Sequence, residues 1–184
     1  MSKRACGPLS FIKDEKGVIS IEVAFALPAL VIAFVTMLSI FDLYRSHALS
    51  QKAAILIGDI SSRQTEQFDA PLLAGFQDLL AELTRSSSDE TGVRVTVLNY
   101  DANLDQLNLN WSQTVGEAEA HTAQSAAREL GAEIAATQDN EVVIVVETFV
   151  AHDPIFEVGF SPSTIEHLVV TRPKFAPQAL WNGA

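Results

Sequence analysis

The sequence has few cations and only one cysteine. Lysine and arginine together number 12 against 23 aspartates and glutamates, which gives a formal net charge of −11 at pH 7. Binding to nucleic acid needs clustered cations that displace counterions from phosphates, so this composition argues against DNA or RNA as a partner. Cys6 has no second cysteine with which to form an internal disulfide, and it cannot build a metal cluster alone.

Signatures of catalysis and of bound groups are also missing. The sequence has no Gly-rich phosphate loop and no Gly-x-Ser-x-Gly motif. The histidines are scattered without metal-ligand spacing: His47, His121, His152 and His167. Residues 101–105 resemble the start of an EF-hand loop, but Gln106 replaces its glycine and Ser112 its final glutamate, so a turn is the better interpretation. We therefore predict no catalytic residue, no metal, no cofactor and no small-molecule substrate.

A long apolar run stands out against this acidic background. Residues 23–41 contain no charged side chain, and only Thr36 and Ser39 interrupt the run mildly. At about 1.5 Å per residue, this helix would cover roughly 28 Å, about the thickness of the hydrocarbon layer of a bilayer. The run is longer than the apolar part of a cleaved secretory signal, and the core helix of a soluble protein rarely lacks a charged face over this length. We predict a membrane span.

The charges on either side of the run predict its orientation. Residues 1–17 hold four basic and two acidic side chains, whereas residues 18–184 hold eight basic and 21 acidic ones. Because the basic flank of a span stays in the cytoplasm, we expect a cytoplasmic N-terminus and an exported acidic C-terminal domain.

The residues before the run resemble the processing site of a prepilin. Gly17 closes the charged leader, and Glu22 is the fifth residue after it. In prepilins, a peptidase on the cytoplasmic face cuts after this glycine, which has no Cβ and can enter a tight active site. Cleavage would leave a new ammonium on Val18, for which Glu22 of a neighbouring subunit is the natural counter-charge. Alternatively, Glu22 lies among the lipid headgroups and Gly17 is an ordinary linker.

Further positions resemble the TadE-like minor pseudopilins of tight-adherence (Flp-type) pilus systems. Pro28 lies inside the span, six residues after Glu22, where we expect it to kink or loosen the helix. The other matching segments are residues 60–64, 145–147, 153–156 and 171–178, with Trp181. The resemblance covers nearly the full length and departs at Val23, where the family usually has an aromatic residue directly after the glutamate.

The resemblance implies a domain organisation, a location and a set of partners. It implies a cleaved leader over residues 1–17, a membrane and stalk helix over 18–62, and an exported domain over 63–184. It also implies a single-pass protein of the bacterial inner membrane with a periplasmic C-terminal domain, which assembles pili and is not an enzyme. Its partners would be a prepilin peptidase, other pilins or pseudopilins, pilus-assembly membrane components and membrane lipid.

Two other hypotheses stay open. The first is an unprocessed membrane-anchored scaffold or adaptor of an envelope secretion or adhesion complex, which Val23 favours. The second is an anchored enzyme, against which we note that the sequence shows no convergent polar cluster.

Apolar residues three and four positions apart predict the helices. One nearly continuous helix is expected from about residue 18 to about 62, with Gly58 as a weak point; two helices with a break near Asp42 are the alternative. A second helix is expected over 69–84. Residues 117–136 are rich in alanine and predict a surface helix that is interrupted near Gly131.

Alternating and uniformly apolar segments predict the strands. Residues 93–98 and 107–112 predict a hairpin. The β-branched run over 141–151 suits a central strand covered on both faces, with 165–171 as its antiparallel neighbour. The predicted fold class is α+β, with a long N-terminal helix followed by a small domain of two helices and an antiparallel sheet.

The aromatic residues of the exported domain are expected mainly in its core: Trp111, Phe149, Phe156, Phe160, Phe175 and Trp181. Phe156 and Phe160 are the expected exceptions, because an irregular segment near two prolines could present an exposed contact. The tail over 173–181 also contains two prolines and cannot be a central strand, so we expect it to lie across the domain or reach a neighbour.

Overall fold

A computed structural model describes residues 16–116, 118–131, 134, 139–156, 159, 161–175 and 179–183, and the side chains from residue 22 onwards. The leader with Cys6 lies outside the described residues, apart from Lys16 and Gly17. The helices are α1 (Lys16–Arg63), α2 (Ala70–Thr84) and α3 (Ala123–Leu130), with a 3-10 turn at Ser88–Glu90. The strands are β1 (Thr91–Asp101), β2 (Gln106–Val115), β3 (Val142–His152) and β4 (Ser163–Thr171). The predicted α+β class is confirmed.

Helix α1 runs without a break from its apolar N-terminal half into the half that packs on the domain. It has 48 residues and continues through Pro28. The alternative of two helices with a break near Asp42 is wrong. On both sides of Asp42 the domain packs along one stripe of the helix, where Ser39, Ala53 and Ile57 are buried, and this packing supports the helical backbone.

The four strands form one antiparallel sheet in the order β2-β1-β3-β4. The hairpin of β1 and β2 is confirmed, and so is the pairing of β3 with β4. Strand β3 is central, as its apolar sequence predicted, because the side chains of both its faces are buried. Helices α1 and α2 cover one face of the sheet. The core on this face consists of Ala53, Ile57, Phe68, Leu73, Phe76, Leu80, Val93, Val95, Val97, Ile144, Val146, Val150, Ile165 and Ala179.

Helix α2 begins and ends at clear signals. Asp69 is its N-cap, and its carboxylate accepts a hydrogen bond from the backbone N–H of Leu72 at 2.9 Å. Arg85 ends the helix in a left-handed conformation with a φ of 61°. The predicted helix over 69–84 is therefore confirmed.

Helix α3 differs from its prediction in length and in position. Among the residues described there, the surface helix expected over 117–136 with an interruption near Gly131 is helical from Ala123 to Leu130, so it begins later than expected and ends just before Gly131. Thr122 caps its N-terminus, since the Thr122 hydroxyl accepts a hydrogen bond from the backbone N–H of Ser125 at 3.2 Å, and this cap starts the helix late. Ala126 and Leu130 are buried on the second face of the sheet, against a cluster that includes Val143. The helix thus completes the second core layer.

The C-terminal tail lies across the domain, one of its two expected positions. The backbone N–H of Phe68 donates to the carbonyl of Leu180 at 2.8 Å, and the N–H of Asn182 donates to the carbonyl of Phe68 at 2.7 Å. Trp111 Nε1 donates to the carbonyl of Ala179 at 2.8 Å. These bonds join the tail to the segment between α1 and α2 and to strand β2.

The expectation that the aromatic residues lie in the core holds for some and fails for others. Trp111 and Trp181 pack against the core, with their ring centroids 5.4 Å apart. Phe175 is 67% exposed, so its prediction is wrong; the adjacent Lys174 holds this segment at the surface through an ion pair with Asp59 at 2.7 Å. Phe156 is 40% exposed, as expected. Phe160 lies outside the described residues.

Gly58 lies where α1 closely approaches β4, and we predict that a large side chain there destabilises the domain. A Cβ at this position would lie 2.8 Å from Cγ1 of Val169 on β4. Gly58→Leu is expected to lower the free energy of unfolding by about 1–3 kcal/mol, because the side chain overpacks the contact. Chemical denaturation of the full chain in detergent micelles measures this change.

Gly75→Ala is the matched control for Gly58→Leu. Gly75 lies within α2, and a Cβ there would meet nothing within 4 Å. In this variant the free energy of unfolding should rise by about 0.5–1 kcal/mol, because alanine favours the helix and restricts the unfolded chain. Equal stabilities for the two variants would contradict the close helix–sheet contact.

Candidate functional site

The apolar half of α1 forms a large exposed hydrophobic surface. Within Glu22–Arg63, α1 contains an 18-residue stretch with a mean hydropathy of 2.5. Only 6% of this stretch is buried. Phe25 is 78% exposed, Leu30 69% and Phe34 62%. A contiguous apolar surface of this kind is characteristic of contact with lipid or with other helices. By length and composition, it is the one candidate membrane span among the described residues, and it is consistent with single-pass anchoring.

The residues of the predicted processing site lie at the start of this helix. Gly17 and Val18 belong to the first turn of α1, and the side chain of Val18 is outside those described. Glu22 lies just inside the helix with an exposed side chain. Within the part of the chain that the structure describes, Glu22 forms no ion pair, although a carboxylate at the edge of an apolar span favours a partner. A cation that neutralises Glu22 must therefore come from the leader region or from another molecule.

The C-terminal domain contains a buried polar cluster that sequence reasoning missed. Arg94 on β1 forms a two-fold ion pair with Glu147 on β3: Nη2 lies 2.6 Å from Oε1, and Nε lies 2.7 Å from Oε2. Nε2 of His121 lies 3.0 Å from Oε2 of the same carboxylate. The side chains of Arg94, Glu147 and His121 are 13%, 12% and 2% exposed. The expectation that no polar groups converge is therefore wrong.

The cluster is tied to its surroundings by further hydrogen bonds. Nη1 of Arg94 donates to the carbonyl of Glu119 at 2.9 Å, and Nδ1 of His121 lies 3.0 Å from the Ser125 hydroxyl. The backbone N–H of His121 donates to the Ser112 hydroxyl at 2.9 Å. The ion pair thus joins two central strands to the segment before α3. Both carboxylate oxygens of Glu147 are occupied by cationic or imidazole nitrogens, so this arrangement is suited to holding elements together.

One sequence signal pointed to this cluster. Glu147 is the only charged residue in the apolar run of β3, and Arg94 interrupts the alternating valines of β1. A charge placed among buried positions needs a partner of opposite sign. Their pairing follows from the register, in which Arg94 lies opposite Glu147.

Two titratable groups at the contact between α1 and the sheet have shifted pKa values. Burial is the largest cause of the lowered pKa of His167 on β4, whose ring centroid lies 6.0 Å from that of His47 on α1. Hydrogen bonds from Lys174 and Arg63 lower the pKa of Asp59. Asp59 is exposed, so its ion pairs contribute little to stability. These groups attach α1 to the domain without forming a reactive site.

The loop that resembles an EF-hand is a turn held by its own side chains. The Asp101 carboxylate accepts a hydrogen bond from the backbone N–H of Asn103 at 2.9 Å. The Tyr100 hydroxyl donates to Asp105 at 2.5 Å, which raises the pKa of Tyr100. Among the described residues, no group of three or more histidine, cysteine, aspartate or glutamate side chains is placed to hold a metal ion.

Comparisons of the chain with protein-family models, with curated proteins and with solved structures found no match. A function must therefore be inferred from the apolar half of α1, from the domain that it carries and from the residues at its start.

Proposed function

We propose that this chain is a minor pseudopilin that assembles tight-adherence (Flp-type) pili. In this proposal it is a single-pass protein of the bacterial inner membrane with a cytoplasmic N-terminus and a periplasmic C-terminal domain. A prepilin peptidase cuts it after Gly17, and the mature chain then packs among other pilins or pseudopilins. The observation that carries the proposal is helix α1, which joins an exposed apolar half to a half packed on an antiparallel sheet.

The continuity of α1 suits a subunit that is added to an assembly. Its 48 residues would span about 72 Å at the usual rise of 1.5 Å per residue. A single unbroken helix transmits any displacement of the membrane half directly to the domain. The exposed apolar half can exchange lipid contacts for contacts with the spans of neighbouring subunits, as the van der Waals packing of membrane helices allows.

The start of α1 suits processing and register. The bond between Gly17 and Val18 lies in the first helical turn, where helices fray and a peptidase needs to unwind little. Cleavage there creates an ammonium on Val18, and Glu22, which has no ion pair within the described chain, supplies a carboxylate. A pair of opposite charges in a medium of low dielectric fixes the register between two packed subunits.

The exported domain has a binding role in this proposal and no catalytic one. Its convergent polar cluster, formed by Arg94, Glu147 and His121, is saturated by internal bonds. The proposal therefore includes no cofactor, no metal and no small-molecule substrate.

The intact mass of the protein extracted from membranes of its native host tests this function. We expect a mass that corresponds to residues 18–184, with or without a methyl group on the new amino terminus. Gly17→Ala is expected to accumulate as the full-length chain, because the added Cβ obstructs the peptidase. A full-length mass for the unaltered protein would refute processing.

The second candidate function is an unprocessed, membrane-anchored scaffold or adaptor of an envelope secretion or adhesion complex. Val23 favours it, because the pseudopilin family usually has an aromatic residue at this position. It retains the span and the exported domain but requires no cleavage. The same mass measurement separates the two candidates.

A further inference from the structure

The connection between β3 and β4 lies beside the end of the apolar span. It comprises residues 153–162, of which the structure describes 153–156, 159 and 161–162. The Ser39 hydroxyl, which donates to the Val35 carbonyl at 3.1 Å, also lies 3.4 Å from the carbonyl oxygen of Phe156. Ser39 precedes Phe41, the last residue of the apolar run, by two positions, which is about 3 Å along the helix. The main chain of the connection therefore reaches the level at which α1 leaves the apolar layer.

One stripe of α1 is shielded before the apolar run ends. Val35 and Thr36 are half-buried, and Ser39 is only 2% exposed. Met37 and Ile40, on other faces of the same turns, remain 71% and 52% exposed. The shielded positions are three and four residues apart and thus share one helical face. The domain therefore covers this face of α1 within the apolar run, where the other faces of the helix are exposed and available to lipid.

Two adjacent apolar side chains of the connection are exposed at this level. Ile155 is 67% exposed and Phe156 is 40% exposed. Transfer of large apolar side chains out of water is favourable, and aromatic side chains are enriched where a membrane meets water. Tyr44, three residues beyond the apolar run on α1, is also exposed and marks the same interface.

The opposite end of the sheet lies away from the end of the apolar run. In the antiparallel register, Thr91 pairs with Val150 near the connection, whereas Asn99 pairs with Val142 at the far end. The turn between β1 and β2 lies at that far end. It carries Leu104, which is 62% exposed and thus comparable to Ile155.

We infer that Ile155 and Phe156 form a second membrane contact, inserted at the boundary between headgroups and hydrocarbon of the bilayer that α1 spans. Lipid is the occupant, because the contact lies beside the span itself. Residues 18–184 carry eight basic and 21 acidic side chains, so the contact depends on apolar burial and not on attraction to anionic lipid. Together with α1, it fixes how the domain is oriented on the membrane. The inference rests on the membrane anchoring of the proposed function and is independent of cleavage after Gly17.

Depth-dependent fluorescence quenching tests this contact. The full chain carries Cys6→Ser, which removes its only cysteine, and one new cysteine with an environment-sensitive fluorophore: Phe34→Cys, Phe156→Cys or Leu104→Cys. Each protein is placed in phosphatidylcholine nanodiscs, with and without bromine atoms on the upper part of the acyl chains. Ile155→Cys repeats the measurement with the Phe156 side chain intact, and near-ultraviolet circular dichroism verifies folding.

We expect the labels at positions 34, 155 and 156 to lose emission in brominated lipid, and the label at position 104 to keep it. The loss at positions 155 and 156 should persist at high salt, since screening does not weaken an apolar contact. Loss at position 34 alone would overturn the second contact and leave the anchoring intact. Loss at no position would overturn the anchoring and the contact with it. Equal loss at positions 104 and 156 would show a domain lying on the bilayer without a specific contact, which would also overturn the inference.

Discussion

Replacement of Arg94 by methionine is expected to destabilise the C-terminal domain by about 3–5 kcal/mol, because it leaves the carboxylate of Glu147 buried without its cation. The Glu147 side chain is only 12% exposed and accepts two hydrogen bonds from Arg94. His121 alone then remains against the carboxylate, at 3.0 Å. Chemical denaturation of the full chain in detergent micelles measures the loss.

Two further variants show that this loss comes from the buried charge. Arg172→Met removes the same type of side chain from an exposed ion pair with Glu141 at 2.7 Å, and should cost about 0–1 kcal/mol. The double variant Arg94→Met/Glu147→Leu should recover most of the stability, because an apolar pair replaces a buried ion pair at little net cost. A double variant as unstable as Arg94→Met would contradict this explanation.

Under the proposed function, replacement of Glu22 by alanine is expected to weaken pilus assembly while leaving membrane insertion unchanged. The alanine variant keeps the apolar run of α1 intact and removes the only acidic side chain between residues 18 and 41. It therefore removes the counter-charge that the proposed function assigns to the new amino terminus of a neighbouring subunit. Assembly is measured by counting pili and by co-purification with other pilins, and insertion by resistance to alkaline extraction.

Glu66→Ala is the matched control for Glu22→Ala. It removes an exposed carboxylate from the segment between α1 and α2, outside the span, and should assemble normally. Normal assembly of Glu22→Ala would refute the register role of this carboxylate. Failure of the Glu22 variant to insert would instead assign the residue to membrane integration.

The strands and the long helix were predictable because their signals are local. Strand β3 is a run of β-branched residues, and its burial on both faces follows from that composition. The length of the span follows in the same way from an uninterrupted apolar run. Helix α3 begins later than predicted, because an alanine-rich composition favours a helix but does not by itself show where the helix starts. The Thr122 cap sets that start locally, whereas the burial of Leu130 depends on the sheet face on which the helix lies.

The sequence by itself determined the long apolar segment of α1, the acidic character of the rest of the chain and the α+β class, because hydropathy, charge and strand or helix periodicity can be read from neighbouring residues. Only the tertiary structure decided which distant residues meet. Arg94 and Glu147 are 53 positions apart, and Ser39 and Phe156 are 117 positions apart. Their contacts follow from the register of β1 with β3 and from the way in which α1 lies on the sheet. Composition and periodicity contain neither the strand register nor the placement of α1, because the register and the placement arise from packing between elements.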